Sequence, residues 1–377
     1  MWIEQEGGTG KYLGLPEYLS CSKSKLLAFI TDNLKDHLSG WYAKTLSLEG
    51  KEILLKYVAM TLPVYAMSCF QLTKHQCEKL TSAMSSFWWN TIENKRKIHW
   101  VVWDKMCKSK QDGGLGFRDL ENFNQALLAK QAWTLLQDPN SLIAKVYKSR
   151  YFLDNELLEA EIGRRPSYAW RSILHGRDLL KKGLLRVIGD GKDTLMWMDN
   201  WIMDGTPRRP FNKQRTMDLN LQVGSLISAQ GTWKLEVLKE LFVQEDIDRI
   251  LSFPPAKSLK DSWIWAHTKE GVYKVKSGNW LVSSTEVSHS HQGNTNQLVN
   301  ELETKSWKIE TEPKIRLLLW RVLSGALAVA ERIIAHGMQA NVMCSLCRGD
   351  VESIKYVLFE CVPSRKVWRN TNIPVGQ

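Results

Sequence analysis

One arrangement in the sequence has recognisable ligand chemistry: Cys344-x2-Cys347-x13-Cys361. A Cys-x2-Cys pair sets two thiolates on one tight turn, as tetrahedral zinc requires. Cys361 offers a third sulfur, and the fourth ligand is open. A knuckle of the form Cys-x2-Cys-xn-His-x4-Cys carries its histidine at the position that Tyr356 holds here. A phenol with a pKa of about 10 is a poor zinc ligand at neutral pH. His336 upstream is an alternative donor. The expectation is a weak or incomplete zinc site. The competing reading is three reduced cysteines in a small helical subdomain.

The second chemistry is cationic. Lys and Arg number 51 against 40 Asp and Glu, a formal charge of +11. Such a surplus favours polyanionic partners, nucleic acid foremost, over a merely solvated basic surface. Lys95, Arg96, Lys97, Lys105, Lys108 and Lys110 lie among Trp88, Trp89, Trp100 and Trp103. Cations would hold phosphates there, and aromatic rings such as Trp88 and Trp89 would stack bases. Tryptophans at near-helical spacing also suit a core. No histidine sits in a Ser-His-Asp, Cys-His or His-x3-His pattern, and no adjacent aspartates occur to hold paired Mg2+ ions. No Mg-dependent catalytic site is therefore expected. Asp190, Asp193, Asp199 and Asp204 read as turn and cap residues rather than metal ligands. Gly113-Gly114-Leu115-Gly116 lacks the Lys-Ser/Thr pair of a phosphate loop and reads as a tight connection.

Seven cysteines, an odd count with the first four scattered, give no disulfide framework, so a reducing compartment is the default. The start has neither a basic n-region nor an apolar h-region and offers no secretory signal. The uncharged stretch 57–73 contains Pro63, Ser68 and Gln71 and reads as packed core rather than a membrane span.

These residues need elements to position them. Leu27, Ile30, Leu34, Leu38 and Trp41 fall on one helical face. Further helices are expected over 51–61, 73–89 and 120–136, the last with a broad apolar stripe. Strands are expected at 184–188 and 194–201 around Gly189-Asp190-Gly191, and at 263–267 and 272–275 around Lys269-Glu270-Gly271, each pair as a hairpin. Pro313 opens a helix to Leu323, and another ends at His336-Gly337. The fold class is mainly α with small β hairpins (α+β). Three regions are expected: 1–150 helical, 151–255 mixed, and 256–377 a small domain with a mobile, polar insertion at 283–304.

Lys11-Tyr12-Leu13-Gly14-Leu15-Pro16, Leu48-Glu49-Gly50-Lys51, Phe87-Trp88-Trp89, Gly113-Gly114-Leu115-Gly116-Phe117-Arg118 and Ile188-Gly189-Asp190-Gly191 together resemble the segment after the palm of plant LINE-type (non-LTR) retrotransposon reverse transcriptases. From about Ser262 the chain resembles their zinc-binding domain, through Pro313-Lys314-Ile315, Leu319-Trp320-Arg321, Glu352-Ser353-Ile354 and Val367-Trp368. It is also similar to uncharacterised plant mitochondrial reading frames. The resemblance implies a helical thumb-like bundle over 1–150, gripping a template–primer duplex, and aligns Cys344, Cys347 and Cys361 with the family's zinc ligands. The family's zinc histidine falls at Tyr356, and its palm aspartates would lie upstream of Met1. The expected function is a non-catalytic remnant that binds RNA or DNA without sequence preference, lacking RNA-directed DNA polymerase activity. The alternative is a domesticated interaction or scaffold protein. The expected compartment is intracellular, nuclear or mitochondrial, with no membrane partner.

Overall fold

A computed structural model describes residues 11–12, 15–16, 23–42, 46–90, 97–214, 216–287 and 295–371. Its first elements are β1 (Lys11–Tyr12), β2 (Leu15–Pro16), α1 (Lys23–Tyr42), α2 (Leu48–Leu54), a π-helical turn (Leu55–Ala59), α3 (Val64–Cys69), α4 (Lys74–Trp89) and α5 (Trp103–Cys107). Next come α6 (Leu120–Gln137), α7 (Leu142–Tyr151), α8 (Tyr168–Gly183), β3 (Leu184–Val187), β4 (Ile202–Asp204) and β5 (Thr206–Arg208). Then follow α9 (Leu235–Leu241), α10 (Gln244–Leu251), β6 (Ser262–Trp265), α11 (Val275–Val287) and α12 (Thr295–Lys308). The last are α13 (Pro313–Leu323), α14 (Ala330–Ala335), a second π-helical turn (Tyr356–Glu360) and α15 (Val362–Arg369). The fold is mainly α with small two-stranded sheets.

The chain forms two compact units that interleave along the sequence. One draws on Met1–Leu19, Pro63–Lys74 and Leu120–Ser290; the other draws on Ser20–Leu62, His75–Asp119 and His291–Gln377. These units do not follow the order of the sequence, as the expected regions with boundaries at 150 and 255 do. Hydrophobic periodicity reports local elements, whereas these units are set by packing between segments far apart in sequence.

The first unit is built around α6. Ala126, Leu128, Ala129 and Ala132 are fully buried on it, and Leu120, Trp133 and Leu135 nearly so. A helix apolar on most sides must be covered on most sides, and α3, α8 and α11 pack against this one. Asn124, also buried, accepts from Leu72 N at 2.7 Å and donates to Met67 O at 2.7 Å and Phe70 O at 3.0 Å. It thereby satisfies carbonyls at the end of α3. Tyr273 closes the other side by donating to Ala126 O at 2.8 Å.

Two hairpins are corrected. β3 pairs antiparallel with β6, Leu184 opposite Trp265 and Val187 opposite Ser262. Neither 194–201 nor 272–275 forms a strand partner. The Gly189-Asp190-Gly191 loop instead wraps the Asp261 carboxylate. That group accepts from Gly189 N at 2.6 Å, Gly191 N at 2.9 Å, Asp193 N at 3.1 Å and the Thr194 hydroxyl at 2.6 Å. A remote carboxylate outcompetes local hairpin pairing because a charged acceptor makes stronger bonds than a carbonyl. The four aspartates have structural partners: Asp199 accepts from Leu195 N, Asp204 pairs with Arg208 and Arg249, Asp190 pairs with Lys192, and the Asp193 carbonyl accepts from Arg186.

In the second unit Ile30, Leu34 and Leu38 of α1 are buried, on the face their spacing gives. Lys51 is buried too, and its ammonium donates to Phe87 O at 2.9 Å and Asn90 O at 2.5 Å, closing the end of α4. Burial, then the neighbouring Lys97 charge, pull its pKa down to about 8. Residues 295–304, expected within a mobile insertion, are helical, and Glu303 is fully buried. The insertion's first residues, 283–287, end α11, and 288–294 lie outside the described residues.

A close backbone approach in the first unit gives a test. A Cβ at Gly176 of α8 would lie 2.3 Å from the Leu128 carbonyl carbon and 2.4 Å from Ala129 N of α6. Backbone cannot swing aside as a side chain can, and overpacking of this kind costs roughly 3 kcal/mol. Gly176→Ala is expected to lower Tm by 5 °C or more, roughly, in thermal denaturation followed by circular dichroism. An unchanged Tm would contradict this packing.

Candidate metal centre and basic residues

The cysteine site is assembled by two short turns in the second unit. Met343 and Val351 form an antiparallel bridge, and Cys344 N donates to Asp350 O at 2.9 Å. Arg348 closes the turn by donating from N to Cys344 O at 2.9 Å, with φ 51 in the left-handed region. Gly349 follows because a Cβ there would come 2.7 Å from the Tyr356 hydroxyl. Glu352 braces the loop by accepting from Ser345 N at 2.8 Å, and Ser353 Oγ accepts from Tyr356 N at 3.1 Å. These two bonds give the Glu352-Ser353 pair its structural role.

The second turn explains the x4 spacing. Residues 356–360 form a π-helical turn, and Cys361 N donates to Tyr356 O at 2.8 Å. An i→i+5 bond brings residues five apart to the same side, which a regular α-helix would not. Cys361 and Tyr356 therefore both face the Cys344-Cys347 turn.

The three Sγ atoms lie within 4.8 Å of one another, and those of Cys344 and Cys361 are 3.8 Å apart. Four-coordinate zinc with bonds of about 2.3 Å separates its sulfurs by about 3.8 Å, so three sulfurs fit. Cys344 and Cys361 are fully buried, and Cys347 is half-buried. The Tyr356 hydroxyl lies 3.0 Å from Cys347 Sγ. This hydrogen bond comes first among the causes that draw the Cys347 thiol down to about 7 and push Tyr356 up to about 12. Burial, then the neighbouring thiols, push Cys361 up to about 11. His336 does not complete the set: it is exposed at the end of α14, its ring 5.3 Å from that of Trp100.

The basic residues divide sharply. Lys105 pairs with Glu303 at 2.7 Å. Lys110 pairs with Glu52 at 3.1 Å and lies 4.4 Å over the Trp307 ring. Lys108 is half-exposed, and Lys97 is exposed at its side chain while its backbone N donates to Asn90 Oδ1 at 2.9 Å. Lys95 and Arg96 lie outside the described residues. Trp88 and Trp89 are corrected from base-stacking surfaces to core: they are 1% and 9% exposed, and Trp88 packs edge-on against Phe117. Trp103 is buried and stacked on Phe117 as well, while Trp100 is half-buried. Sequence reasoning missed Lys51 and Glu303. A lysine inside an otherwise apolar helical pattern was the available signal for the first; Glu303, in a polar stretch, gave none.

Residues 283–368 match a family described as zinc-binding in reverse transcriptase. An uncharacterized mitochondrial protein of Arabidopsis thaliana is 62% identical over 154 residues, 41% of this chain and all of that protein. A putative ribonuclease H protein of the same plant is 28% identical over 346 residues, 90% of this chain and 54% of that protein. The chain belongs to the plant retroelement reverse-transcriptase family. It spans about half the length of the second relative. The zinc-binding match begins at 283 rather than near 256, and it takes in the whole cysteine site of this reverse-transcriptase relative.

Three sulfurs could hold zinc, but a neutral phenol leaves its tetrahedron one protein ligand short. Tyr356→His, replacing that phenol by an imidazole, is expected to raise zinc retained through purification toward one equivalent from well below it, measured by elemental analysis. One equivalent in the wild type, unchanged by the substitution, would show that another group completes the site.

Proposed function

We propose that the chain is a non-catalytic remnant of a retroelement reverse transcriptase that binds RNA or DNA through phosphates, without sequence preference. The observation that carries the reading is the reverse-transcriptase zinc-binding match on a chain with a formal surplus of eleven positive charges. Template–primer duplex or element RNA is the fitting ligand class, since Lys and Arg neutralise phosphates whatever the bases. Lys97 and Lys108 are the described candidates for this contact, with Lys95 and Arg96 beside them in sequence. The proposal includes no nucleotide incorporation with Mg2+ or Mn2+. It places the protein in mitochondria, on the strength of the 62% identical mitochondrial relative. Among the described residues no helix is long and apolar enough to cross a membrane.

A second reading, an interaction or scaffold protein with no nucleic-acid role, draws on α7. Leu142, Ile143 and Val146 are exposed on that helix, and exposed apolar groups of this kind suit a protein partner.

Fluorescence anisotropy of labelled RNA, DNA and hybrid duplexes across a salt series separates the two. Log affinity is expected to fall linearly with log salt, with a slope of about −0.9 per phosphate contact on duplex DNA. Replacing Lys95, Arg96 and Lys97 together by Ala is expected to flatten the slope by roughly two to three, alike on different sequences. No salt-dependent binding at low salt would favour the scaffold reading. An unchanged slope would move the contact surface elsewhere on the chain. Primer extension by the pure protein would overturn the non-catalytic part.

A further inference from the structure

The cysteine site has a donor count that its distances alone do not reveal. Cys344 and Cys361 Sγ stand 3.8 Å apart, and Cys347 Sγ lies within 4.8 Å of both. The fourth side of the cluster is taken by the Tyr356 hydroxyl, 3.0 Å from Cys347 Sγ. At that distance the phenol makes a hydrogen bond to sulfur. A zinc ion bound to both atoms, with bonds of about 2.0 and 2.3 Å, would hold them about 3.5 Å apart. Glu352 is turned to Ser345 N, and His336 stands against Trp100. Among the described residues no further His, Cys, Asp or Glu joins the three sulfurs. Gly349 makes the arrangement specific, because any side chain there would displace the phenol from Cys347.

Three thiolates suit a soft ion that needs only three donors. Thiolates suit zinc and iron–sulfur clusters as well as Cu(I), but of these Cu(I) alone is satisfied by three donors and does not demand a tetrahedron. A three-coordinate ion with bonds of about 2.3 Å to sulfur places its ligands about 4.0 Å apart at the corners of a triangle, close to the observed spacing. Three thiolates around a monovalent ion leave a net negative charge. A hydroxyl donor on one sulfur stabilises that charge, whereas a fourth ligand would not be needed.

We propose that Cys344, Cys347 and Cys361 form a three-thiolate site for Cu(I), in which Tyr356 is a hydrogen-bond donor to the Cys347 sulfur and not a ligand. Binding exchanges the three thiol protons, released to solvent, for one Cu(I), with no change in oxidation state. The site is independent of any nucleic-acid contact.

The test is anaerobic titration of the whole chain with Cu(I) against a competing chelator, and separately with Zn(II), with X-ray absorption on the copper-loaded protein. The wild type is expected to bind one Cu(I) with three sulfur neighbours. Tyr356→His is expected to raise Zn(II) affinity at least about tenfold while Cu(I) affinity moves less. Tyr356→Phe, which keeps the ring and removes the donor, is expected to weaken Cu(I) on the order of tenfold. Cys347→Ser is expected to reduce the copper to two sulfur neighbours. It replaces the half-buried cysteine, and so keeps the test usable if variants of the buried pair fail to fold. Two sulfurs in the wild type, an unchanged Cu(I) affinity in both Cys347→Ser and Tyr356→Phe, or tight four-coordinate zinc indifferent to Tyr356→His would each overturn the proposal.

Discussion

A carboxylate taken out of water costs several kcal/mol unless charge and hydrogen bonds replace its hydration, and Glu303 is fully buried. The Lys105 ammonium at 2.7 Å and the Ser324 hydroxyl at 2.8 Å, both on Oε1, supply part of that replacement, while the buried Oε2 has no hydrogen-bond partner among the described residues. Their placement constrains what surrounds them. A Cβ on Gly113 would stand 2.6 Å from Glu303 Oε2, so the turn that follows α5 must be glycine there, at φ +79. The Gly113 carbonyl accepts from Trp320 Nε1 at 2.8 Å, and Lys110 lies over Trp307, one helical turn beyond Glu303. Segment 103–116 and the helices α12 and α13 are thus one packed body within the second unit. The same bonds engage two lysines whose positions in sequence suggested a phosphate grip.

Much of the local structure was legible. The α1 face, the buried stripe of α6, Pro313 at the start of α13 and the left-handed Gly337 after α14 follow from spacing and from backbone preferences that act within a few residues. Strand partners were not legible, because β3 and β6 are joined by packing across a long separation and Asp261 reaches its loop from outside it. The role of Trp88 and Trp89 was open for a related reason. Tryptophan offers a base-stacking face and a large apolar body, and only its neighbours decide which is used.

The metal site was half legible. Cys-x2-Cys and Cys361 announced three sulfurs, and Tyr356 announced a missing histidine. What the spacing withheld was the π-helical turn that swings Tyr356 onto Cys347, and the distance of His336 from the cluster. The family match over 283–368 joins this site, with its three cysteines, to a reverse-transcriptase zinc-binding module.

Lys105 and Lys110 are ion-paired within the second unit, whereas Lys97 and Lys108 are the described lysines proposed to contact phosphate. Acetylation of the native protein by a lysine-specific reagent, read by mass spectrometry with and without an RNA–DNA hybrid at low salt, tests that division directly. Protection by the hybrid is expected at Lys97 and Lys108, with Lys105 and Lys110 reacting equally in both samples. Protection confined to Lys105 and Lys110, or none at any of the four, would contradict it.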